Sequence, residues 1–480
     1  MVDYGPYANY RLTARLELRN RPGIFAQVAA LLAEEKANLG AVDIVSASAD
    51  RVVRDITFEV RDEEHGEQVL KRLNSLPDIT VLYASDRIFL FHLSGKIRVQ
   101  SRYPLKTRNM LSMAYTPGVG RVSQAIARDR SKVFAFTTKQ NSVAIVTDGS
   151  AVLGLGNLGP EAALPVMEGK SMLFRELADI NAWPICLSTQ DPDEIVQIVQ
   201  GIAPGFGAIN LEDIAAPRCF EIEAKLKAKL DIPVMHDDQH GTAVAILAAL
   251  TNALKITGRH IGDVRVVVNG LGAAGTACCR MLLAAGVTHL KGIEPEGIVL
   301  TGEGETLREG RDRIQAYIQK ERPTGRLQDA LKDADVFIGL SVGNILTPED
   351  LSLMNPDRIV FALANPDPEI APLKGDSLSR VFATGRSDYA NQINNALAYP
   401  GIFRGALDVL AREINEPMKL AAARALAESV PPEALTEDYI IPSIFDKQVV
   451  PRIAAAVASA ARETGVARRG GRPPDEANAF

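Results

Sequence analysis

VRVVVNGLGAAG, Val264 to Gly275, is the stretch that decides how this chain folds. Val264-Arg-Val-Val-Val268 is a short apolar run rich in β-branched side chains, the composition of a strand buried on both faces. Asn269-Gly-Leu-Gly-Ala-Ala-Gly275 then sets glycines in a G-x-G-x-x-G spacing, and Thr276 to Ala285 continues as a helix. The glycines have separate physical tasks: Gly270 permits a tight turn, Gly272 lets the backbone approach a pyrophosphate, and Gly275 lets helix and strand pack closely. The phosphates would rest on the helix N-terminus, where free N–H groups and the dipole favour anions, which brings Ala273 and Ala274 into the binding set. The next strand, Leu290 to Ile293, ends at Glu294, about 20 residues on, where an acid accepts hydrogen bonds from ribose hydroxyls. A carboxylate there repels a 2′-phosphate, so NAD is favoured over NADP, although Lys291 lies close by. The competing reading of Glu294 is a solvated loop acid beside Pro295 and Glu296.

Outward from this stretch, strands rich in Val and Ile alternate with helical segments from about Arg102 onward, which implies parallel sheets with crossover helices. Ser131 to Asp148, Ala182 to Ser188, Ala208 to Leu211 and Ile232 to Met235 are expected strands of a first layer. Val264 to Val268, Leu290 to Ile293, Asp335 to Leu340 and Arg358 to Ala362 are those of a second. The first 90 residues differ. Arg11 to Leu18 alternates like a half-buried strand, Asn20-Arg-Pro-Gly23 is a turn, and Ile24 to Glu35 has helical spacing. Asn38 to Ser46, Arg51 to Val60, the helical Glu63 to Leu76 and Thr80 to Arg87 complete a β-α-β-β-α-β order. Asn20-Arg-Pro-Gly-Ile24 resembles the D-R-P-G-x signature of ACT domains, small ferredoxin-like modules that commonly pair and bind a regulatory metabolite; Asn20 stands where that family usually has Asp.

With 480 residues, 46% hydrophobic and 23% charged, the chain has the make-up of a globular protein of about three domains. A net charge of -6 supplies no basic field for nucleic acid or anionic lipid. No run of about 18 apolar residues and no signal-like N-terminus are seen, so a cytoplasmic location without membrane partners is expected. Cys186, Cys219, Cys278 and Cys279 form no C-x-x-C pair and are expected to be reduced. The stretch ARRGGRPPDEANAF at the end is expected to be a disordered tail.

His236, Asp237, Asp238, Gln239 and His240 come close to the zinc-binding H-E-x-x-H pattern. However, Ile232 to Met235 contains a proline and reads as a strand, and the helical pattern starts only at about Gly241. The two histidines would then not share a helix face. The aspartates carry more meaning: Asp237 and Asp238 end one strand, and Glu212 and Asp213 end another. Open α/β sheets place ligands at such carboxyl ends, and three or four converging carboxylates suit a hard ion, Mg²⁺ or Mn²⁺.

Eight separated motifs extend this reading. Tyr115-Thr-Pro-Gly-Val119, Val146-Thr-Asp-Gly149, Gly154-Leu-Gly-Asn-Leu-Gly159, Pro165-Val-Met-Glu-Gly-Lys170, Asn210-Leu-Glu-Asp213, His236-Asp-Asp-Gln-His-Gly-Thr242, Ala364-Asn-Pro366 and Pro400-Gly-Ile-Phe403 follow in the order and approximate spacing of bacterial malic enzymes. The resemblance covers about residues 95 to 460. It implies an α/β fold in which an ACT-like regulatory domain (1–90) precedes a catalytic domain (91–240) and a Rossmann-type doubly wound NAD-binding domain with C-terminal helices (241–465), followed by the tail (466–480). It implies NAD-dependent oxidative decarboxylation of malate, an even-numbered homo-oligomer such as a dimer, and an effector site on the ACT domain. Carried over motif by motif, it makes Glu212, Asp213 and Asp238 the metal ligands, Lys170 the general base and Tyr115 the general acid, with Asp237 beside Lys170 setting its charge. Asn365 and Asn395 would hold the substrate carboxylate, Asn365 also lying at the cofactor, with Asn394 an alternative to Asn395. Some malic enzymes carry an arginine after T-D-G; Ala151 stands there in this chain, so its malate clamp relies on other groups. Asn157 occupies a position where Asp is also common. Burial beside a divalent cation is expected to lower the Lys170 pKa toward the range of a useful base.

Overall fold

The computed structural model describes residues 10–303 and 323–468, which fall into two compact units divided between Arg98 and Val99. The expected tail lies outside the described residues from 469 on. Among those described before it, the backbone N–H of Arg468 donates to the Val409 carbonyl at 3.0 Å.

In the first unit, side chains from Leu12 to Leu18 along β1 (Tyr10–Arg19) are alternately buried and half-buried, as the sequence pattern requires of a sheet with one covered face. Helix Ile24–Glu34 follows, then β2 (Asn38–Ala47), β3 (Arg51–Val60), helix Glu63–Ser75 and β4 (Ile79–Asp86). Asp62 caps the second helix by accepting from the His65 N–H at 2.8 Å. The strands form an antiparallel sheet in the order β2-β3-β1-β4, with Leu16, Ile56, Phe58 and Leu73 fully buried beneath it.

The second unit carries two further sheets. The first is parallel throughout, in the order β6-β5-β7-β8, from β5 (Ser142–Thr147), β6 (Asn181–Cys186), β7 (Ala208–Leu211) and β8 (Val234–His236). Every residue of β5 and β7 is buried, which is why these segments read as continuous apolar runs. The second comprises β9 (Arg265–Asn269), β10 (His289–Glu294), β11 (Gly297–Glu303), β12 (Val336–Gly339), β13 (Ile359–Ala362) and β14 (Val381–Thr384). Its order, β11-β10-β9-β12-β13-β14, is doubly wound about β9, with β11 antiparallel to β10.

Two departures from the sequence reading have physical causes. The strand expected over Ser131 to Asp148 begins only at Ser142. Ahead of it lie short helical turns, Arg130–Lys132, Val133–Phe136 and Thr138–Asn141, which Asp129 and Thr137 cap by accepting from the N–H groups of Ser131 and Lys139. β11 and β14 were not anticipated: one is a hairpin return through Glu294 and Gly297, the other is only four residues long.

Helix Asp237–Thr257 joins the two sheets of the second unit. Ala243 to Leu250 along it are buried in one core together with Val143 and Ile145 of β5 and Val266 and Val268 of β9. Gly258 ends it in the left-handed region at φ 66°, a conformation glycine adopts without a Cβ penalty.

Candidate active site

In the sheet β6-β5-β7-β8 the winding direction reverses between β5 and β7, and open α/β sheets take their ligands at the carboxyl ends of such strands. β7 stops at Leu211, and Asp213 turns into the left-handed region at φ 52°. The pleat that would aim Glu212 and Asp213 in opposite directions is thereby broken. Its backbone N–H donates to Asp238 Oδ2 at 2.9 Å, which ties this turn to the end of β8. One carboxylate oxygen from each of Glu212, Asp213 and Asp238 lies within 4.8 Å of the other two.

Asp237 and Asp238 open helix Asp237–Thr257, whose N-terminus favours negative charge. The helix begins about four residues earlier than the sequence pattern indicates, with His236 extended at its N-cap. Opposite, helix Pro160–Ala178 delivers Lys170, which is buried. Its Nζ is ion-paired with Glu212 and lies 2.5 Å from Asp237 Oδ2 and 4.5 Å from the centre of the Tyr399 ring. A Cβ on Gly241 would overlap Asp237 Oδ1 and come within 3.1 Å of the Asn395 Cβ, so only glycine lets Asn395 stand this close to the cluster.

One ammonium among four carboxyl groups leaves a surplus of buried negative charge. Burial raises Asp213 to about 7 and Asp237 to about 6, and pushes Glu212 well above the ordinary carboxylate range against the pull of Lys170. Burial alone would lower Lys170, but Asp237 and Glu212 outweigh it and hold the ammonium well above its ordinary value. The lowering expected from the sequence belongs to a cluster that holds a divalent cation; with the acids alone as neighbours, the ammonium is the favoured form. The cluster fits a divalent cation. Asp213 Oδ2 and Asp237 Oδ1 are buried without a hydrogen-bond partner, and the donors are all carboxylate oxygens, as a hard ion prefers.

The histidines serve elsewhere. The Gln239 amide meets His236 Nδ1 at 3.0 Å, and His236 Nε2 faces Asp238 Oδ2 at 3.4 Å. His240 contacts Glu223 through Nε2 at 3.0 Å and Lys419 through Nδ1 at 3.2 Å. They therefore share no common point as a zinc pair would.

The nucleotide stretch keeps its expected geometry. Gly270 has φ 91°, and a Cβ there would come within 2.7 Å of the Leu340 carbonyl; one on Gly275 would overlap the Gly270 carbonyl. Gly272 is exposed, with open space where its Cβ would be, and Ala273 and Ala274 begin helix Ala273–Ala285 partly exposed. Glu294 is not a free loop acid: its Oε1 accepts from the Leu271 N–H at 2.8 Å, which brings the carboxylate beside the glycine turn. Lys291 Nζ is directed to the Asp329 carbonyl at 3.4 Å.

Asn365 is exposed beside Gly154 and Gly385, and its amide makes no hydrogen bond among the described residues. Asn394 accepts from the Ala396 N–H at 2.8 Å as the cap of turn Asn395–Leu397, which leaves Asn395 as the side chain near the acids. Asn157 pairs with Gln190 at 3.1 Å. Tyr115 ends helix Arg108–Ala114 and is 69% exposed; its backbone N–H donates to the Leu111 carbonyl at 2.9 Å, while its hydroxyl makes no hydrogen bond among the described residues.

Three family models match the sequence: the N-terminal domain of malic enzyme over residues 94–227, the ACT domain over 7–83 and the NAD-binding domain of malic enzyme over 372–462. A relative from Geobacillus stearothermophilus described as an NAD-dependent malic enzyme is 51% identical over 465 residues, 96% of each chain. The chain belongs to the malic enzyme family. A bifunctional malic/malolactic enzyme of Bacillus subtilis is 50% identical over 78% of this chain and 92% of its own. The solved structure of an NAD-dependent malic enzyme from Thermotoga maritima superposes with a TM-score of 0.72 at 46% identity, covering 78% of this chain and 99% of that one.

Within this malic enzyme, some residues at the site escaped the sequence reading. Tyr399, buried against Lys170, directly precedes the Pro400-Gly-Ile-Phe403 motif and could have been found there. Glu223, which holds His240 and whose Oε1 accepts from the His236 N–H at 3.1 Å, sits in an ordinary helical pattern with no signal of its own.

Proposed function

We propose that this chain converts L-malate to pyruvate and CO₂ by oxidative decarboxylation, with NAD and with Mg²⁺ or Mn²⁺ held by Glu212, Asp213 and Asp238. The observation that carries the proposal is the gathering of these three carboxylates from two strand ends around one buried lysine.

Lys170 Nζ takes the proton of the C2 hydroxyl as hydride leaves C2, and the resulting β-keto acid loses CO₂. Tyr115 Oη then returns a proton to C3. The cation supplies Lewis acidity for the decarboxylation, and NAD supplies the hydride acceptor. Asp237 holds Lys170 in place, while Asn395 and Asn365 orient the substrate carboxylate. Charge on Glu212 that is drawn toward a cation no longer stabilises the ammonium, so the upward pull on Lys170 weakens when the cluster is loaded. Gly270, Gly272, Ala273, Ala274 and Gly275 cradle the pyrophosphate, and Glu294 receives the ribose hydroxyls.

The decisive experiment is malate-dependent reduction of NAD against NADP, with Mn²⁺ or Mg²⁺ and with a chelator. Pyruvate with free NADH, lost on chelation, supports the reading. Lactate without net NADH would replace it by malolactic conversion, and no turnover with either cofactor would remove it.

Residues 1–90, 91–240 and 241–465 serve in this reading as regulatory, catalytic and NAD-binding domains. An effector of the ACT domain belongs to this reading, and the open depression lined by Tyr10, Leu12, Glu63, Glu67 and Phe89 is a candidate surface for it. A homodimer is supported by helices Arg108–Ala114 and Val119–Arg128, which bury no residue and expose Leu111, Met113, Val119 and Val122. Light scattering at several concentrations tests it. Four unpaired cysteines, and no helix among the described residues long and apolar enough to cross a membrane, support a cytoplasmic location.

A further inference from the structure

Glu369 is fully buried, yet no cation pairs with it among the described residues. Its partners are backbone N–H groups from two different loops. Oε1 accepts from Ser341, just past β12, at 3.3 Å, and Oε2 accepts from Ala364, just past β13, at 3.1 Å. The space beneath the carboxyl exists only because residue 339 is glycine, where any Cβ would overlap it.

Each loop leads to a different part of the site. The β12 loop closes on the glycine turn: Asn269 Nδ2 donates to Ser341 Oγ at 2.6 Å, and the Leu340 carbonyl fills the position a Cβ of Gly270 would need. The β13 loop is Ala364-Asn365-Pro366, and the Asn365 carbonyl abuts Gly154 in the segment that follows β5. Main-chain bonds reinforce the pairing, with Asn344 N–H donating to the Pro368 carbonyl at 3.0 Å and Leu346 N–H to the Glu369 carbonyl at 2.9 Å.

We propose that Glu369 is a positioning residue that locks the loop bearing Asn365 to the loop supporting the glycine turn, so that the nucleotide and the malate carboxylate are held in one register. The inference rests on the assignment of Asn365 to the substrate. A buried carboxylate with only N–H partners suits this task, because each of its oxygens fixes one loop at a place closed to water. Burial, set against those N–H groups, raises its pKa to about 7, in keeping with a carboxyl that has no cation to balance it.

Glu369→Gln keeps the size but turns an amide N–H₂ toward one of the two loops, leaving that backbone N–H without an acceptor. The expected result is a rise of about 10-fold in KM for both NAD and malate with kcat changed far less, while Mn²⁺ titration of the carboxylate cluster is unaltered. Should Glu369→Gln not fold, Glu369→Asp, which keeps the charge but withdraws it by one methylene, is read in the same assays with the same expectation. A fall in melting temperature with both KM values unchanged would make Glu369 a purely structural buried acid and overturn the inference, as would a change in one KM alone. Asn365→Ala is run alongside. If it leaves malate KM unchanged, the substrate assignment falls and the inference with it; if it impairs malate while Glu369→Gln is silent, only the inference falls.

Discussion

At the carboxyl ends of β5, β7 and β8, buried carboxyls crowd around one ammonium, whereas at the carboxyl end of β9 side chains are missing where a ligand would lie. Both sheets use the same architectural opportunity, the crevice at a reversal of winding. The first meets it with charge: Glu212, Asp213 and Asp237 are desolvated, and burial raises their pKa values against the pull of the one lysine. The second meets it with absence: Gly270 turns, Gly275 admits the helix against the strand, and Gly272 leaves open backbone. One region stores electrostatic tension that binding relieves; the other stores almost none and gains its affinity from main-chain N–H groups. Substitutions should therefore fail in different currencies at the two places.

The largest expected effect is at the ammonium. Lys170→Ala should lower kcat by at least about 10²-fold in steady-state assays at saturating malate, with NADH affinity retained. Unchanged turnover would show that the charged region does not carry the chemistry. Asp238→Asn comes next: it removes a charge from the trio and should weaken Mn²⁺ binding by about 10- to 100-fold, read by the paramagnetic signal of free Mn²⁺, again without loss of NADH affinity. In the uncharged region, Gly275→Val forces a side chain onto the Gly270 carbonyl. It should cost about 1–3 kcal/mol of stability and weaken NADH binding by fluorescence titration, leaving Mn²⁺ binding intact. Were Mn²⁺ binding to fall as far as NADH binding, the contrast between the two regions would be lost. The smallest effect is expected from Glu294→Gln, the carboxylate beside the glycine turn. Its preference for NAD over NADP should shrink by about 10-fold, worth about 1.4 kcal/mol, in a comparison of kcat/KM for the two cofactors.

The same contrast explains what could be read before any coordinates. The glycine stretch, its flanking strand and helix, and Glu294 were legible because spacing alone dictates their geometry. The first unit was legible nearly strand by strand, since β1 alternates cleanly and its turns carry Gly or Asp. The acids at the ends of β7 and β8 were legible because each follows an apolar run. Val133, Phe134 and Phe136 misled by extending the apolar run of β5 backwards, where capping by Asp129 and Thr137 instead favours short helical turns. Tyr399 over Lys170, and Glu369 between two loops, come from tertiary contacts that no local pattern encodes. The pull of Asp237 and Glu212 on Lys170 has a related origin: its strength depends on how many acids surround the ammonium, which only the assembled site reveals.

Helix Asp237–Thr257 begins among the clustered acids and runs on as core shared by both sheets. Swapping nucleotide modules between relatives would thus have its natural splice point after Gly258, not before Asp237. A hybrid joined there would inherit the acidic trio whole, and its success would turn on how well the borrowed β9 sheet fits the alanine-rich flank of the retained helix. Shuffling cofactor preference in this fold is accordingly a problem of matching one greasy seam.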